Sequence, residues 1–315
     1  MKNILITGGF GYLGSRLATY LNFKGYNIFL GTRNLNYKNS WDSGFNIKLI
    51  NWESEKSINE SCNNMDIVIH AAGTNAYDSQ MNPVTALQVN GINTGKLMQA
   101  SILHFVNQFI YISTAHVYDS PLAGFINEDS CLKNQHPYAT SHRAGEEMVN
   151  SLAKNKEIDL KILRLSNSFG FPVHKDVDAW MLIVNDVCKQ LIINKGLVKL
   201  SSSGKQQRDF IPIENVNIII SKMIEFPKLF QGNSIFNIGS GQSMSILDIT
   251  KIICERYQLL FNSEYQIVVD NSKELPSQFL EFNCDRIKHI IKDLSEHFLY
   301  EIDETLIFVY KHFNN

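Results

Sequence analysis

Long apolar runs, paired cysteines and an excess of one charge are all missing from this sequence. No apolar stretch reaches the roughly 18 residues of a membrane-spanning helix, so none is predicted. The short apolar N-terminus continues into a glycine-rich turn and not into a small-residue cleavage site, which argues against a signal peptide. Scattered cysteines without a C-x-x-C pair indicate reduced core thiols in a cytoplasmic protein, and no metal ion or disulfide framework is expected from Cys62, Cys131, Cys188, Cys254 and Cys284.

Charge is nearly balanced, with 29 basic residues, 31 acidic residues and a formal net charge of −2. The chain therefore has no overall attraction for nucleic acid or for an anionic membrane, and neither is expected as a partner. Length and apolar content are ample: 315 residues, 44% of them hydrophobic, are enough for one large core or for a main domain with a smaller companion.

Short apolar runs alternate with helical patterns over the first half of the chain. Such uninterrupted runs are typical of parallel strands that are buried on both faces, and the alternation predicts an α/β fold with a doubly wound sheet. The pattern becomes irregular after Asn167, which predicts a first domain over 1–166 and a smaller C-terminal lobe over 167–315, with some later elements returning to the first domain. We predict strands at 3–7, 26–30, 47–50, 66–70, 109–113 and 160–165, and helices that end near 24 and cover 83–105 and 137–155.

The first strand is followed by the segment TGGFGYLG and then by a helix. Gly8 and Gly11 permit backbone torsions and a close approach that a Cβ would forbid, and Gly14 lets the helix pack closely on the strand. The free N–H groups at the start of the helix would then face a pyrophosphate. A lone glycine motif also fits an ordinary tight turn, but its place after the first strand favours a dinucleotide site with contacts from Gly8, Phe10, Gly11, Tyr12, Leu13 and Gly14.

The end of the second predicted strand, FLGTRN, bears on which dinucleotide is expected. An acidic residue that binds a ribose 2′-hydroxyl is usual at this point, but Thr32 stands there and Arg33 follows. Because an arginine can accept a 2′-phosphate, the sequence favours NADP, with NAD as the alternative. Arg33 can also be interpreted as a solvated surface residue.

Hydroxyl groups and a base occur at the end of the fifth predicted strand and the start of the helix that follows. Ser113 and Thr114 end the strand, where ligands of such sheets gather. Tyr138 opens the helix, and His142 lies four residues later on the same face. A hydroxyl pair, a phenol and a nearby base suit proton transfer to or from a sugar oxygen while hydride moves to or from a nicotinamide.

Further motifs accompany these residues over most of the chain. They are, in order, TGGFGYLG, DIVIHAAG (66–73), Asn90, STAHVY (113–118), Tyr138, RLSNSFGFP (164–172), GKQQRDFIPIENV (204–216) and FNIGSGQSMSI (236–246). The set resembles the extended short-chain dehydrogenases/reductases, in the NAD-dependent epimerase/dehydratase group that acts on nucleotide sugars. The resemblance implies a Rossmann-type sheet with a substrate-binding C-terminal lobe. It also implies a homodimer, for which the helices at about 83–105 and 138–155 are the candidate contacts.

The resemblance implies a role for each matching residue. Tyr138 would be the acid/base on a sugar hydroxyl or ketone, and Ser113 and Thr114 would hydrogen-bond the same oxygen. Asn167 and Arg208 would hold the nucleotide-sugar together with Thr114, unless Arg208 serves only in an ion pair. Further cofactor contacts would come from Trp52 on the adenine side and from Ala71, Ala72, Gly73, Asn90, Tyr138 and His142.

Four departures from the family pattern accompany this resemblance. His142 replaces a lysine, and Asn93 and Asp119 each replace a glycine. Ala115 and His116 occupy the place of the Asp-Glu pair of sugar 4,6-dehydratases, which argues against a dehydratase because water elimination needs those acid and base groups. His116 and the histidine of DIVIHAAG, His70, are instead expected to be hydrogen-bonded structural residues.

His142 also bears on the expected direction of the reaction. In the family, the lysine holds the nicotinamide ribose, and its charge lowers the pKa of the tyrosine. A histidine titrates near ~6.5 and a tyrosine near ~10, so a mostly neutral His142 would do little to stabilise the tyrosinate that alcohol oxidation needs. The sequence therefore favours an NADP-preferring reductase of a keto nucleotide-sugar with Tyr138 as proton donor. The alternatives are a nucleotide-sugar 4-epimerase with tightly bound NAD and a dinucleotide-binding sensor without chemistry.

Overall fold

The computed structural model describes residues 1–34, 41, 44–272, 278–288 and 297–314. Strands β1 to β14 are Asn3–Thr7, Asn27–Thr32, Asn46–Leu49, Ile67–His70, Gln108–Thr114, Gly124–Ile126, Asp159–Leu165, Asn167–Phe169, Leu197–Leu200, Gln207–Pro212, Ile235–Ile238, Ser243–Ser245, Gln266–Val269 and Leu280–Phe282. Helices α1 to α11 are Tyr12–Phe23, Glu55–Cys62, Ala76–Met81, Pro83–Ala86, Asn93–Leu103, Pro137–Ala153, Ile183–Ile193, Ile213–Glu225, Ile246–Phe261, Asp285–Lys288 and His297–Phe313. None of the helices described has the length and apolar character that a bilayer crossing demands.

Seven strands form the main sheet in the order β11-β7-β5-β4-β1-β2-β3. β1 lies inside this sheet, with β2 and β3 on one side and β4, β5 and β7 on the other. The pairings among these six strands are parallel. This arrangement confirms the predicted α/β class with a Rossmann-type sheet. The register aligns Thr7 with His70 and His70 with Tyr111, so the carboxyl ends of β1, β4 and β5 lie at one edge. Ser113 and Thr114 extend beyond that line at the end of β5.

The strand sequences explain why the sheet is central. Three consecutive residues in each of β1 and β4 are aliphatic, and Leu5, Val68 and Phe109 have no exposed surface. Leu97 and Met98 of α5 pack against them in one core cluster. Each square ångström of apolar surface that is removed from water contributes about 25 cal/mol, so this packing fixes the sheet edge that carries the candidate site.

The helical region predicted at 83–105 differs from a single α-helix. A π-helical turn, Leu87–Ile92, connects α4 to α5. The carbonyl of Asn90 in this turn accepts hydrogen bonds from the hydroxyls of Thr94, at 2.7 Å, and Tyr111, at 3.2 Å. Turns of this kind insert one extra residue into a helix and often accompany functional sites.

The chain separates into two compact units. The first comprises Met1–Asp119, Cys131–Leu165 and Ser221–Phe236, and the second comprises Ser120–Ser130, Ser166–Ile220 and Asn237–Asn315. The assignment of dinucleotide binding to 1–166 and of substrate binding to 167–315 stays a prediction.

The second unit has its own small sheets and its own core. β10 pairs in parallel with β8 and antiparallel with β12, while β13 pairs with β9 and β14 pairs with β6. Residues of α7, α9 and α11 form an apolar cluster that includes Val187, Leu191, Ile249, Ile253 and Leu306. This mixed region is the smaller companion of the parallel sheet that the sequence predicts.

Candidate active site

The glycine turn after β1 has the close approaches that its sequence predicts. Gly8 adopts a left-handed backbone conformation with φ +68°, and a Cβ there would lie 2.7 Å from the carbonyl oxygen of Ala71. A Cβ on Gly14 would collide with the carbonyl of Gly8. Helix α1 follows with Gly11 as its N-cap and therefore without a side-chain cap, which leaves its first N–H groups available to an anion. A dinucleotide pyrophosphate fits these features.

A cavity of about 720 Å³ opens beside this turn. Its wall includes most of the residues predicted to contact the cofactor: Gly8, Phe10, Gly11, Arg33, Trp52, Ala71, Ala72 and Gly73. Tyr12, Leu13 and Gly14 form the first turn of α1, and Asn90 and His142 lie next to Gly73. The first unit alone therefore brings these groups together.

The outer end of the cavity has the residues that bear on cofactor choice. Arg33 is exposed and lines the cavity together with Thr32 and Trp52. The Thr32 hydroxyl accepts a hydrogen bond from the backbone N–H of Asn34 and donates to its carbonyl, each at 3.1 Å. The predicted acidic position is thus filled by a neutral hydroxyl that is satisfied locally. Glu53, which follows Trp52 in the chain, is a carboxylate that also lines this cavity.

Asn90 is buried, and its amide group connects two elements of the site. Its oxygen accepts a hydrogen bond from the Thr74 N–H at 2.9 Å, and its nitrogen donates to the Ser141 hydroxyl at 3.0 Å. A Cβ added to Gly73 would lie 3.1 Å from the Asn90 oxygen. Asn90 thereby holds the loop after β4 against α6, so the structure gives this side chain a positioning contact with the cavity wall.

Helix α6 places Tyr138 and His142 one turn apart. The helix begins at Pro137, and the His136 ring caps it by accepting a hydrogen bond from the Tyr138 N–H at 3.2 Å. The rings of Tyr138 and His142 meet edge to face, with centroids 4.7 Å apart. The neighbouring ring of His116 lies 6.5 Å from that of Tyr138. The predicted phenol and base are therefore in direct contact.

Burial keeps these groups neutral. It raises the pKa of the Tyr138 phenol, and a hydrogen bond with Thr114 opposes that rise only in part. Burial, with a smaller contribution from His116, lowers the pKa of His142 to about 4. At neutral pH the phenol is protonated and His142 carries no positive charge, so no cation from this histidine assists formation of a tyrosinate.

The hydroxyls of Ser113 and Thr114 face different partners in the structure, and the expectation that both hydrogen-bond the reacting oxygen stays a prediction. Successive residues of a strand point to opposite faces, and here Thr114 acts on Tyr138 whereas the Ser113 hydroxyl donates to Glu146 at 2.5 Å. The structure therefore brings Thr114, but not the hydroxyl of Ser113, to the phenol.

Glu146 belongs to a buried ionic network that the sequence reasoning missed. Arg164 of β7 donates to both carboxylate oxygens of Glu146, with the closest pair 2.7 Å apart, and to the Tyr118 hydroxyl at 2.9 Å. Both charged side chains are less than 5% exposed. A signal was present, because Glu146 lies two turns after Tyr138 on the same helix face and Arg164 interrupts an apolar strand. Two such charges at buried positions predict a pair.

His70 is held as a structural residue, as expected. Its ring lies between two hydroxyl groups. The Thr7 hydroxyl is 2.6 Å from Nδ1, and the Thr94 hydroxyl is 2.9 Å from Nε2. Burial, reinforced by His142, lowers the pKa of His70 to about 3. The backbone N–H of His116 donates to the Thr114 hydroxyl at 3.2 Å, so both histidines also support the edge of the sheet.

Asn167 and Arg208 both belong to the second unit. The Asn167 amide donates to the carbonyl of Asp209 at 2.9 Å, and Arg208 donates to the Gln206 side chain at 3.1 Å. The buried carboxylate of Asp209 accepts hydrogen bonds from the hydroxyls of Ser166 and Ser240. Burial lowers the pKa of Arg208. The role of both residues toward a nucleotide-sugar stays a prediction.

Comparison with known proteins gives a consistent picture. The chain is 28% identical over 277 residues to the dTDP-D-glucose 4,6-dehydratase of Dictyostelium discoideum, covering 80% of this chain and 62% of that protein. It is 25% identical over 266 residues to a Methanocaldococcus jannaschii protein whose name assigns it provisionally as a UDP-glucose 4-epimerase, with 83% and 84% of the two chains covered. The crystal structure of the Thermotoga maritima UDP-glucose 4-epimerase with UDP-glucose superposes with a TM-score of 0.80 at 19% identity, over 98% of this chain and 99% of that one.

The family model for the NAD dependent epimerase/dehydratase family matches residues 4–239, which include the glycine turn, both hydroxyls at the end of β5, and Tyr138. That span is well over half of the 315 residues. Sequence motifs, sheet topology and site geometry agree with the match, and the chain belongs to the NAD-dependent epimerase/dehydratase family of enzymes that modify nucleotide sugars.

Proposed function

We propose that this protein is a nucleotide-sugar 4-epimerase, which inverts the configuration of a sugar hydroxyl group by oxidising it to a ketone and reducing that ketone again with the same bound nicotinamide dinucleotide. The observation that carries the proposal is the edge-to-face contact between the rings of Tyr138 and His142, with Thr114 opposing the rise in the pKa of Tyr138, in the unit that also holds the glycine turn. In this set Tyr138 gives or takes the proton, and Thr114 orients the phenol.

The residues of the chain divide the work as follows. A nicotinamide, when bound, supplies a reversible hydride acceptor. The glycine turn and the N-terminus of α1 hold the pyrophosphate, and Tyr138 transfers the proton at its phenol oxygen. Thr114 hydrogen-bonds the phenol and the reacting sugar oxygen. Asn167 and Arg208 hold the nucleotide-sugar.

The epimerase alternative has more support than the reductase that the sequence favoured. The relatives are named as epimerases and dehydratases, and none of those compared above is named as a reductase. Ala115 and His116 argue against a dehydratase, because no carboxylate stands at either position. The protonated state of Tyr138 nevertheless favours a reductase as the second candidate, since ketone reduction starts from a protonated acid.

The cofactor identity is the finer part of the proposal. Members of this family are NAD-dependent, whereas the exposed Arg33 at the cavity wall supports binding of a 2′-phosphate. If NADP is preferred, Arg33→Ala should weaken NADP⁺ binding by roughly 10- to 150-fold and leave NAD⁺ binding unchanged, because a hydrogen bond to a charged group contributes about 1.5–3 kcal/mol. Isothermal titration of both dinucleotides with both proteins measures this difference.

Two measurements on the purified protein test the proposed reaction. Mass analysis of the dinucleotide released on denaturation should find a stoichiometric cofactor for the epimerase, since the cofactor is regenerated in each cycle. Incubation with UDP-, dTDP-, GDP- and CDP-hexoses should interconvert one pair of 4-epimers. Consumption of NADPH by 4-keto nucleotide-sugars without epimerisation would establish the reductase instead. Dinucleotide binding with neither activity would contradict both candidates.

A second copy of the chain is the proposed partner. Apolar side chains are exposed along the helical segment 83–103 and on α6: Val84 is 83% exposed, Leu87 45%, Ile92 44% and Met148 41%. Association of two copies through these faces would remove them from water. Light scattering of the wild type and of Val84→Glu should give a dimer and a monomer, respectively.

A further inference from the structure

The two ring nitrogens of His142 have different surroundings. Nδ1 lies 3.0 Å from the hydroxyl oxygen of Tyr111, and the two rings are stacked within 25°. The opposite edge of the imidazole faces Gly73, where a Cβ would lie 3.8 Å from Nε2. Within the described part of the chain, Nε2 has no hydrogen-bond partner. One nitrogen is therefore committed to the protein, and the other faces the wall of the cavity.

The Asn90 carbonyl determines which way the Tyr111 proton points. The Tyr111 hydroxyl lies 3.2 Å from this oxygen, which can only accept a hydrogen bond. When Tyr111 donates to Asn90, its own oxygen presents lone pairs to Nδ1 of His142. Two lone pairs facing each other would repel, so Nδ1 must carry the proton.

A second chain of hydrogen bonds also ends at the Asn90 carbonyl, and its donors point towards that carbonyl as well. The Thr94 hydroxyl donates to Asn90 at 2.7 Å, so it can receive a proton from Nε2 of His70. Nδ1 of His70 then accepts from the Thr7 hydroxyl at 2.6 Å. Every donor along both chains has an acceptor, and both chains end at the carbonyl oxygen of Asn90.

We propose that Tyr111 is a positioning residue that holds His142 as its neutral Nδ1–H tautomer, and that Nε2, which faces Gly73 of the cavity wall, is a hydrogen-bond acceptor for a hydroxyl group of a bound dinucleotide ribose. The pKa of about 4 for His142 agrees with a neutral ring at physiological pH. A lysine at this position could only donate a hydrogen bond, whereas Nε2 of this tautomer can only accept one. The ribose hydroxyl would therefore be the donor in this protein. The ligand part of this proposal rests on the proposed function, whereas the tautomer does not.

The tautomer can be measured directly on the wild-type protein without ligand. Long-range ¹H–¹⁵N spectra of histidine-labelled protein at pH 7 report which ring nitrogen carries the proton, and His142→Gln identifies the signals of this residue. We expect a protonated Nδ1 and an unprotonated Nε2. The opposite pattern, or an imidazolium, would overturn the proposal. An enzyme of different specificity would still show the expected pattern, so this result is separate from the proposed function.

Tyr111→Phe tests the positioning role. Without the phenol oxygen, the buried Nδ1–H loses its acceptor, and the ring should convert to the Nε2–H form. Loss of one acceptor for the ribose should raise the dissociation constant of NAD⁺ by roughly 2- to 10-fold. Tyr118→Phe is the matched control, because Tyr118 is also buried but bonds to Arg164. A folded Tyr111→Phe protein that keeps the Nδ1–H pattern would contradict the proposal, and the wild-type spectrum decides if the variant does not fold.

Discussion

Helix α6 borders two polar clusters whose groups end in opposite charge states, although burial disfavours the charged form in both. The neutral cluster comprises Tyr138, His142, Tyr111 and His70, where burial lowers the pKa of the histidines and raises that of the phenols. In the ionic cluster of Ser113, Glu146 and Arg164, burial alone would lower the pKa of Arg164, but the hydrogen bonds and charge of Glu146 raise it overall.

The difference in charge state between the two clusters comes from ion pairing and not from the depth of burial. His142, Tyr111 and His70 are as inaccessible as the members of the ionic cluster, and Tyr138 is half-buried. A facing counter-charge is nevertheless present only for Arg164. A buried group with such a partner stays charged, and one without it stays neutral. The ionic cluster connects β5, β7 and α6 as a scaffold, while the neutral cluster keeps Tyr138 as a protonated acid.

Removal of the counter-charge should have the largest effect. Glu146→Gln leaves the Arg164 guanidinium buried without a carboxylate, and we expect a loss of about 3–5 kcal/mol in the free energy of unfolding. Urea denaturation measures it. Glu60→Gln is the control, because the exposed ion pair of Glu60 with Lys56 should contribute nothing measurable. A loss for Glu146→Gln no larger than that of the control would mean that pairing does not separate the clusters.

Acidification should destabilise the neutral cluster. The unfolded chain binds protons at these histidines near pH ~6.5, whereas the folded pKa values are about 4 for His142 and about 3 for His70. The unfolded state therefore binds more protons below that pH, and stability is full above ~6.5 and falls as the pH drops toward 4. Between pH 7 and pH 4, protonation linked to each histidine should lower the free energy of unfolding by about 3 kcal/mol. His142→Gln should lose correspondingly less between pH 7 and pH 4, and equal losses in both proteins would contradict the assignment.

The neighbouring hydroxyls of Ser113 and Thr114 allow the two clusters to be separated by substitution. Ser113→Ala removes a donor to a buried carboxylate and should cost about 1.5–3 kcal/mol of stability with turnover unchanged. Thr114→Val should cost about 1 kcal/mol, because a cap to His116 is lost, and should reduce turnover at least roughly tenfold. Thr114→Ser should retain both properties. If Ser113→Ala were inactive but stable, the two hydroxyls would have the reverse roles.

The smallest effect is expected within the neutral cluster itself. His116 contributes less than burial to the lowered pKa of His142. His116→Gln should therefore raise that pKa by less than about one unit. An NMR titration of the His142 ring would show the change, and a further decrease would contradict it.

The sequence contained enough information for the sheet and for the shared helix face of Tyr138 and His142. The apolar segments of β1 and β5 have the pattern of buried strands whichever strands they pair with. The four-residue spacing of Tyr138 and His142 places both side chains on one face of a helix. Helix α2 was missed because its sequence, EKSINESC, buries only Ile58, Ser61 and Cys62 and shows little apolar periodicity.

The contacts around His142 were beyond reach of the sequence. The protonation pattern of His142 depends on Tyr111, which lies 31 residues earlier on β5 and meets the ring only after the sheet and α6 have packed. The separate directions of Ser113 and Thr114 follow from strand alternation, but which of the two faces Tyr138 depends on where β5 ends. Resemblance to the family identified the residues and could not supply their partners.

The π-helical turn at Leu87–Ile92 has a consequence for how this region can vary. In a helix each residue is rotated by about 100° from the one before, so a single inserted residue turns everything beyond it by that angle. Deleting one residue here would join α4 and α5 into an uninterrupted rod, but the Asn90 side chain would swing away from Thr74 and its carbonyl away from Tyr111. This part of the protein should therefore accept substitutions far more readily than changes in length.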